Sequence, residues 1–269
     1  MDPITEAPPA RGARLFEPRW SRGLPRRWYA RHGQRWLDRA LLCLVLPPAL
    51  PLMLLLGCAN AVAFRGLRRV FFLQPRIGRH GRPFRIYKFR TMAEVDTSDM
   101  GSWSSGADQL RVTRFGRFLR NTHLDELPQV LNVLRGEMSF IGPRPEMVEV
   151  EMWAAEEVPG FGERLVLRPG IAGLAQVTQG YAFQSVDDYR EKLRLNREYI
   201  RHMSLGLDLQ IVARTAWWML RGKGWSWKGA STPATPEPVP QAELLPRAAR
   251  ASAVGETRAA APERISAGR

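Results

Sequence analysis

Residues 40–64 read ALLCLVLPPALPLMLLLGCANAVAF and contain no charged side chain. As a helix that rises about 1.5 Å per residue, this run is long enough to cross a bilayer core of roughly 30 Å. Arginines lie on both sides of it, with Arg39 in front and Arg65 behind. Positive charge favours the cytoplasmic side, so both ends of the run are expected at the same face of the membrane.

Three prolines interrupt the middle of the run, at Pro47, Pro48 and Pro51. A proline inside a helix lacks the N–H that would satisfy the carbonyl four residues earlier, and this bends or breaks the helix. A helix that breaks at Pro47 and Pro48 and returns to the face from which it entered fits both the prolines and the flanking charges. The sequence therefore predicts a re-entrant, monotopic membrane helix over residues 36–66.

Three other interpretations of the run are a simple transmembrane helix, a signal sequence and a buried core helix. The flanking arginines and the prolines count against a simple span. LLGC at residues 55–58 resembles a lipoprotein cleavage box, but the basic region before the run is almost 40 residues long, unlike that of a signal sequence. So long an uncharged stretch is unusual for a core helix.

The chain as a whole is strongly basic, with a formal net charge of +14 over 269 residues. Its 45% of hydrophobic residues is enough for a folded core. Residues 65–92 contain nine Lys or Arg and no Asp or Glu, which indicates either a solvated basic face or a surface for an anionic partner. The neighbouring apolar run favours membrane lipid as that partner. The two cysteines, Cys43 and Cys58, are too few for a disulfide framework or a zinc cluster.

Composition divides the chain into four regions. Residues 1–35, rich in Arg, Pro and Trp, form a basic and aromatic arm, and residues 36–66 form the membrane helix. Residues 67–227 form a domain at the cytoplasmic face. Residues 228–269, rich in Ala, Pro, Glu and Arg, form a disordered tail.

The expected fold class is α+β. Two strands around a Gly-containing turn are predicted at 70–92, and helices at 147–158, 187–203 and 205–222. The last of these helices is apolar almost all round and carries Trp217 and Trp218. It is either an interfacial helix that lies on the membrane or an ordinary core helix.

NTHLDELPQVLNVL, residues 121–134, places Asp125 and Glu126 side by side. Leucines at helical spacing predict a helix over 122–134, and Thr122 followed by Asp125 fits an N-terminal cap. Acids in the first turn of a helix are commonly stabilised by the helix dipole and need no further role. The alternative is chemistry on a phosphate, with one carboxylate as nucleophile and its neighbour as a ligand of Mg²⁺.

Phosphate chemistry needs cations and hydroxyl groups near the two acids. Candidates occur in three short motifs, KFRTM at 88–92, LRNT at 119–122 and GPRP at 142–145. These motifs supply the predicted phosphate ligands, which are Lys88, Arg90, Thr91, Arg120 and Arg144. Each alone is a surface residue by default, but their combination favours a phosphate site.

Three longer blocks resemble the signature motifs of the bacterial sugar transferase family, the monotopic polyprenyl-phosphate sugar-1-phosphate transferases. The blocks are QPRIGRHGRPFRIYKFRTM at 74–92, DELPQVLNVLRGEMSFIGPRP at 125–145 and RPGIAGLAQV at 168–177. The resemblance runs in order from about Trp36 to Arg221. It implies a re-entrant helix broken at a proline and a catalytic domain at the cytoplasmic face of the bacterial inner membrane.

The resemblance also implies an activity. A sugar-1-phosphate would pass from a nucleotide diphosphate sugar, a UDP-sugar by family habit, to polyprenyl (undecaprenyl) phosphate with release of UMP, which initiates exopolysaccharide or glycoconjugate synthesis. Asp125 would be the nucleophile that forms a covalent phosphosugar enzyme, and Glu126 together with Asp125 would bind Mg²⁺. The implied partners are both substrates and inner-membrane lipids; nucleic acid is not expected, and a homodimer is left open.

The chain departs from the family pattern at two places. Ala172 stands where many members have Thr or Ser, which bears on one hydroxyl contact but not on the two acids. Leu46 precedes the prolines where small members often have Ser. Two other functions stay open: a basic scaffold that binds anionic lipid or nucleic acid without catalysis, and an Mg²⁺-dependent phosphohydrolase with water as the acceptor. The identity of the transferred sugar cannot be read from the sequence.

Overall fold

The computed structural model describes residues 28–93, 111–179 and 185–221. Most of the predicted arm and the whole predicted tail lie outside the described residues. A polar loop, which the sequence predicts at 93–110, also lies outside them apart from residue 93.

One long helix opens the described part of the chain. A π-helical turn, Tyr29–Gly33, leads directly into helix α1, Gln34–Ala63. The helical run therefore starts ahead of the predicted boundary at residue 36. Among the described residues it is the one helix that is long and apolar enough to cross a membrane. Helix α1 continues through Pro47, Pro48 and Pro51. The break at the prolines and the re-entrant path therefore stay predictions.

Helix α1 has a buried face and an exposed apolar face. The buried positions follow one another at helical spacing and are Asp38, Ala49, Met53, Leu56 and Asn60. The exposed face carries Leu44, Leu50, Leu54, Leu55 and Val62. Exposed side chains of this size in an unbroken series are typical of a surface that meets lipid or another protein.

Polar side chains fix both ends of α1 to the rest of the domain. Near the start, Asp38 Oδ1 accepts a hydrogen bond from Ser139 Oγ at 2.8 Å. Near the end, Asn60 Nδ2 donates to the carbonyl of Val70 at 2.7 Å. Both Asp38 and Asn60 are buried, so each of these contacts satisfies a polar group that would otherwise be costly to bury.

A second polar contact joins the beginning of the described chain to its end. Asp208 is fully buried and accepts hydrogen bonds from two phenols, Tyr29 at 2.6 Å and Tyr199 at 2.8 Å. Gln34 Nε2 donates to the carbonyl of Ile141 at 2.8 Å. The first helical turns are thereby attached to elements that lie more than 100 residues later in the chain.

Strands β1, Phe71–Ile77, and β2, Pro83–Phe89, form an antiparallel hairpin. The register runs from Phe71 opposite Phe89 to Ile77 opposite Pro83. The turn between the strands includes His80, whose φ is +59°. The hairpin predicted at 70–92 is confirmed.

Residues 111–134 fold into short helical pieces. Helix α2 is Arg114–Asn121, a 3₁₀ helix follows at Leu124–Gln129, and helix α3 is Val130–Leu134. The helical structure predicted over 122–134 is confirmed for 124–134, but its first part, 124–129, takes the 3₁₀ form. Pro128 has no N–H for the carbonyl of Leu124, so the first turn takes the tighter 3₁₀ form.

The prediction that Thr122 caps the N-terminus of this helix is wrong. Its hydroxyl donates to the carbonyl of Phe118 at 2.8 Å, so Thr122 belongs to the C-terminal end of α2. His123, with φ +56°, then turns the chain into the 3₁₀ helix without a capping side chain. This turn separates α2 from the 3₁₀ helix, so the helix that carries the two acids begins at Leu124.

The remaining elements agree with the α+β prediction. Strand β3, Ser139–Ile141, pairs in parallel with β4, Gly170–Ala172, as a second small sheet. The helices are α4, Val148–Glu157; α5, Leu174–Gln179; α6, Val186–His202; and α7, Leu205–Leu220, with a 3₁₀ helix at Phe161–Val166. The helices predicted near 147–158, 187–203 and 205–222 are confirmed.

Two of the hydrophobic clusters among the described residues position helix α1 against the rest of the chain. The larger joins the π-helical turn, β3, β4 and the last two helices through Ala30, Ile141, Val166, Leu167, Ala172, Tyr199, Met203 and Ile211. The other joins α1 to the hairpin and α2 through Met53, Leu56, Val70, Phe89 and Leu119. Leu124, Leu127 and Leu131 pack onto this second cluster. Helix α1 therefore contacts the segment that carries the two adjacent acids.

Helix α7 buries only a narrow face. Asp208 and Ile211 are buried, whereas a series of large apolar side chains is exposed, namely Leu205, Leu209, Trp217 and Met219. We call this series the α7 stripe. It fits the interfacial position predicted for this helix, which stays a prediction.

Candidate active site

The 3₁₀ helix presents Asp125 and Glu126, here called the dyad, in its first turn. Glu126 Oε1 lies 2.7 Å from Lys88 Nζ and 2.8 Å from Arg144 Nη2. The hairpin supplies Lys88, and the turn after β3 supplies Arg144. Three residues predicted from separate motifs thus meet at one carboxylate oxygen.

The two cations determine the charge state of Glu126. Burial opposes ionisation of this side chain, but Arg144 and Lys88 outweigh it and hold the pKa of the carboxyl well below its usual range. The pKa of Lys88 is lowered, first by burial and then by Arg144, while Glu126 and Asp125 partly offset this. Glu126 is therefore an anion over the whole physiological pH range.

Asp125 has a different environment. The residue is 9% exposed, and its carboxylate makes no hydrogen bond or ion pair with any of the described residues. Its pKa is raised, first by burial and then by the charge of Glu126, while Lys88, Arg120 and His123 act in the opposite direction. A carboxylate that is surrounded by cations but bonded to none of them keeps its lone pairs available for an incoming electrophile.

Thr91 and Arg120 lie on the neighbouring side of the dyad. Arg120 Nε donates to Thr91 Oγ1 at 3.0 Å, and Thr91 is buried. Helix α2 approaches Thr91 closely because Gly116 has no side chain: a Cβ there would lie 2.0 Å from the carbonyl oxygen of Thr91. This close packing places Arg120 within electrostatic reach of Asp125.

Arg90, another predicted phosphate ligand, has a backbone contact on the side of the end of α1. Its Nε donates to the carbonyl of Arg69 at 3.1 Å, beside the end of α1. Its role in phosphate binding stays a prediction.

The turn that carries Arg144 is held at three successive carbonyls. Gly170 N donates to the carbonyl of Pro143 at 2.9 Å, and Arg164 Nη1 donates to that of Arg144 at 3.0 Å. Arg76 Nη1 donates to the carbonyl of Pro145 at 3.2 Å. These bonds fix the backbone from which the Arg144 side chain extends to Glu126.

Two buried ion pairs support the same turn, and sequence reasoning missed both. Arg164 pairs with Glu151, and Lys192 pairs with Glu146, the residue directly after Pro145. All four side chains are buried. A signal for Lys192 was present in the sequence, since it shares a helical face with the aromatic residue Tyr189, where a charged side chain needs a partner.

The donor groups of the dyad fit Mg²⁺. Among the residues that the structure describes, no group of three or more His, Cys, Asp and Glu side chains is close enough to hold a metal. Mg²⁺ is usually bound by one or two carboxylates together with substrate phosphates and water, so it needs no larger cluster. The oxygens of Asp125 and Oε2 of Glu126 are available for it, since Lys88 and Arg144 both contact Oε1.

Apolar helices contact the dyad segment from two directions. Met53 and Leu56 of α1 belong to the cluster onto which Leu124 and Leu127 pack. Near the end of α7, the ring of Trp218 lies 5.7 Å from the ring of His123, two residues before Asp125. The site thus lies between two helices that expose apolar faces.

The family model described as Bacterial sugar transferase matches residues 29–222. The UDP-N-acetylgalactosamine-undecaprenyl-phosphate N-acetylgalactosaminephosphotransferase of Aeromonas hydrophila is 40% identical over 191 residues, which are 71% of this chain and 44% of that protein. The UDP-glucose:undecaprenyl-phosphate glucose-1-phosphate transferase of Caulobacter vibrioides is 40% identical over 185 residues, 68% of this chain and 67% of its own.

The UDP-glucose:undecaprenyl-phosphate glucose-1-phosphate transferase of Xanthomonas campestris pv. campestris is 36% identical over 181 residues, which are 66% of this chain and 37% of that protein. The match with these longer relatives thus covers less than half of them, whereas the family model covers most of the present chain. The chain belongs to the bacterial sugar transferase family.

Proposed function

We propose that this protein transfers a sugar-1-phosphate from a UDP-sugar to undecaprenyl phosphate through a covalent phosphosugar-aspartate and releases UMP. The observation that carries the proposal is the asymmetry of the dyad: Glu126 is bound by two cations, and Asp125 beside it is bonded to no described residue. The relatives named above, which act on UDP-sugars and undecaprenyl phosphate, support the same substrates.

The cations around the dyad suit a diphosphate. Lys88 and Arg144 are already aligned by Glu126, and Arg120 is held by Thr91. A guanidinium group can form bidentate hydrogen bonds with two phosphate oxygens, whereas an ammonium group acts as a point charge. Together they would withdraw negative charge from the donor as the leaving nucleotide develops it.

The first step begins with an oxygen of Asp125. This oxygen attacks the phosphorus that carries the sugar, and the bond from that phosphorus to the bridging oxygen breaks, so that the electron pair leaves with UMP. In the second step an oxygen of the lipid phosphate attacks the same phosphorus. The phosphorus–aspartate bond breaks, and the Asp125 carboxylate is regenerated. Mg²⁺ held by Asp125 and Glu126 would neutralise charge on the diphosphate.

The acceptor requires a site within reach of lipid. The exposed apolar face of α1 and the α7 stripe both belong to helices that contact the dyad segment. Their arrangement supports a monotopic enzyme at the cytoplasmic face of the bacterial inner membrane, with the nucleotide sugar arriving from water and the polyprenyl phosphate from the bilayer. Initiation of exopolysaccharide or glycoconjugate synthesis is the proposed role of the reaction.

Release of UMP by the full chain in lipid nanodiscs tests the proposal. A panel of UDP-sugars is supplied with Mg²⁺, with and without undecaprenyl phosphate. We expect release that depends on the lipid and on one or two of the sugars. Asp125→Asn should reduce it by at least about a thousandfold, since the amide cannot form the covalent intermediate. Asp187→Asn, at an exposed acid of α6, is the matched control and should leave the rate unchanged.

Two results would contradict the transferase. UMP release that does not need the lipid would indicate a phosphohydrolase that uses water. Salt-dependent binding of anionic vesicles without any nucleotide release would indicate a basic scaffold. A third informative result concerns the mechanism: if radiolabelled sugar phosphate never becomes attached to the wild-type protein when the acceptor is omitted, the covalent step is wrong.

A further inference from the structure

Four arginines surround a small cavity of about 90 Å³ away from the dyad. Arg31 and Arg35 come from the start of the first helix, Arg79 from the turn of the hairpin, and Arg168 from the segment just before β4. The rest of the lining is Ala30, Gln34 and Leu167. Arginines from three separate parts of the chain thus line one cavity.

The charge of this cluster is not balanced within the described residues. None of the four arginines forms a salt bridge there, and the hydrogen bond described for the cluster runs from Arg79 Nε to the carbonyl of Val166 at 2.9 Å. The acid with an electrostatic effect on Arg168 is Asp38. The Asp38 carboxylate is itself occupied by Ser139 and by the N–H of Phe140.

The arginines repel one another. The pKa of Arg79 is lowered, first by burial and then by the positive charges of Arg168 and Arg35. The pKa of Arg168 is lowered by burial and by Arg35, against the opposing effect of Asp38. A guanidinium group stays protonated in proteins, so this repulsion persists in the empty cavity and a bound anion would relieve it.

The lining of the cavity suits a phosphate group. Its volume of about 90 Å³ leaves room for a ligand larger than one water molecule, which needs only about 10–15 Å³ of cavity volume measured in this way. Arginine is the side chain best suited to phosphate because its planar fork of donors matches two phosphate oxygens.

The cavity is separate from the dyad. Arg79 lies in the turn of the hairpin, whereas Lys88 lies near the other end of strand β2. From Pro83 to Lys88 the strand extends about 17 Å, at about 3.3 Å per residue. A phosphate bound at Arg79 and Arg168 would therefore not be the one that reacts at Asp125.

The surroundings of the cavity favour a phosphate that is part of a lipid. Trp28 and Trp36, beside Arg31 and Arg35, are 66% and 61% exposed. Exposed tryptophans next to arginines at the start of a long apolar helix are typical of the head-group layer of a membrane. The exposed apolar face of α1 then offers a surface along which acyl chains can lie.

We propose that Arg31, Arg35, Arg79 and Arg168 form a binding site for the phosphate group of an anionic membrane lipid, separate from the reaction centre. The site would attach the first turns of the membrane helix to the hairpin and to the segment before β4 through one shared head group. This inference does not depend on the transferase activity, and its test needs no turnover.

The test measures lipid-dependent stabilisation of the full chain in detergent micelles. Thermal unfolding is followed while phosphatidylglycerol, phosphatidylcholine or inorganic phosphate is added. We expect phosphatidylglycerol to raise the unfolding midpoint in a saturable way and the other two to do so weakly. Arg79→Gln combined with Arg168→Gln should raise the half-saturating concentration of phosphatidylglycerol at least tenfold.

A matched control removes the same charge from the same hairpin outside the cavity. Arg82 and Arg85 are exposed and do not line it, so Arg82→Gln with Arg85→Gln should respond like the wild type. If the first pair of substitutions prevents folding, Arg31→Gln with Arg35→Gln replaces it, because both side chains are exposed.

Two results would overturn the proposal. An equal response of all variants to phosphatidylglycerol would show that the lipid acts through general surface charge. A response to inorganic phosphate with none to phosphatidylglycerol would show that the cavity takes a free anion and would refute the assignment to a lipid.

Discussion

At the scale of single residues, the main feature is that two adjacent carboxylates have opposite electrostatic environments. Arg144 and Lys88 lower the pKa of Glu126, and burial raises that of Asp125. Neighbouring acids whose pKa values are driven apart commonly have different tasks in a site. These environments support the proposed division of tasks, with Asp125 as the nucleophile and Glu126 as a ligand of Mg²⁺.

The protonation of Asp125 predicts how activity depends on pH. A nucleophilic carboxylate must be ionised, so activity is lost as the pH falls through its pKa, and that pKa lies above the usual value of aspartate. Lys88 lowers the pKa of Asp125, so Lys88→Met should move the acid limb of the kcat/KM profile upward by about one pH unit. The measurement is initial UMP release at pH values between 4.5 and 8.

The control for this prediction is Arg85→Met, at an exposed position of the same strand. This substitution should leave the pH of the acid limb of the kcat/KM profile unchanged. If Lys88→Met lowers the maximal kcat/KM but leaves the pH of the acid limb unchanged, Lys88 binds substrate and does not act on the pKa of Asp125.

The sequence predicted several residues that meet in the candidate site, but not those that support them. Asp125, Glu126, Lys88 and Arg144 lie in recognisable motifs, and the structure brings them together. The pairs Arg164–Glu151 and Lys192–Glu146 are contacts between distant segments, and no local spacing indicates which charge will meet which. Burial of a charge is a property of the packed molecule, so it had to be seen in the structure.

At the scale of elements, local signals predicted the hairpin and the long helices well, and at 122–134 they predicted a helix but not its 3₁₀ form. Leucine spacing reports which side of a segment is buried, and the leucines there do pack together against α1. It does not report hydrogen bonding, which Pro128 changes to the 3₁₀ form. The left-handed turn at His123 has no sequence signal of the kind that Gly or Asn would give.

The packing of α2 predicts a strong effect of a single methyl group. Gly116→Ala would place Cβ 2.0 Å from the carbonyl oxygen of Thr91, so helix α2 must move and Arg120 with it. We expect a loss of about 1–3 kcal/mol in the free energy of unfolding and a marked fall in kcat/KM. Differential scanning fluorimetry and UMP release measure the two effects.

A second glycine serves as the control. A Cβ at Gly206, in the first turn of α7, meets no atom within 4 Å. Gly206→Ala should therefore be neutral or stabilise the helix by up to about 1 kcal/mol. If both substitutions behave alike, the close approach at Thr91 does not constrain the site.

The buried ion pair behind the Pro-Arg-Pro turn predicts a non-additive pattern. Arg164→Met leaves Glu151 buried without its partner and should cost about 3–5 kcal/mol, seen as a fall of roughly 10 °C in the unfolding midpoint. Adding Glu151→Leu removes the unpaired charge and should restore part of that stability. Activity should stay low in both, because Arg164 no longer holds the carbonyl of Arg144.

An additive result would contradict this interpretation. If the double variant were less stable than Arg164→Met by the full cost of Glu151→Leu alone, the two side chains would not act as a pair. Recovery of activity along with stability would show that the carbonyl bond to Arg144 is dispensable.

At the scale of the whole molecule, the dyad segment is placed between α1 and the end of α7. Both helices have one buried face and one exposed apolar face. The proposed reaction, between a soluble donor and a membrane-bound acceptor, needs a site at such a boundary. The apolar run and the last helix were predicted from composition, but their contact with the same short segment was not, because it depends on the tertiary fold.

If helix α7 lies on the membrane, lipid should protect the α7 stripe from a water-soluble reagent. In a variant without Cys43 and Cys58, a cysteine replaces either Leu209 of the stripe or the neighbouring Gln210, both of which are exposed in the protein. In nanodiscs, Leu209→Cys should react with a water-soluble maleimide at least about fivefold more slowly than Gln210→Cys, because only the stripe would lie in the interface. Equal reaction rates of the two cysteines would contradict the position of α7 at the membrane surface.

The hydrogen bond between Tyr29 and Asp208 has a consequence for synthesis of the chain. At translation rates of about 5–20 residues per second, the 179 residues between the two partners take roughly 10–35 s to be made. The apolar helix therefore emerges from the ribosome long before the segment that its first turn must bind. If α1 enters the membrane as proposed, the nascent polypeptide is held there while its globular part is still incomplete. We then expect folding to finish on the lipid surface, after helix α7 has been translated.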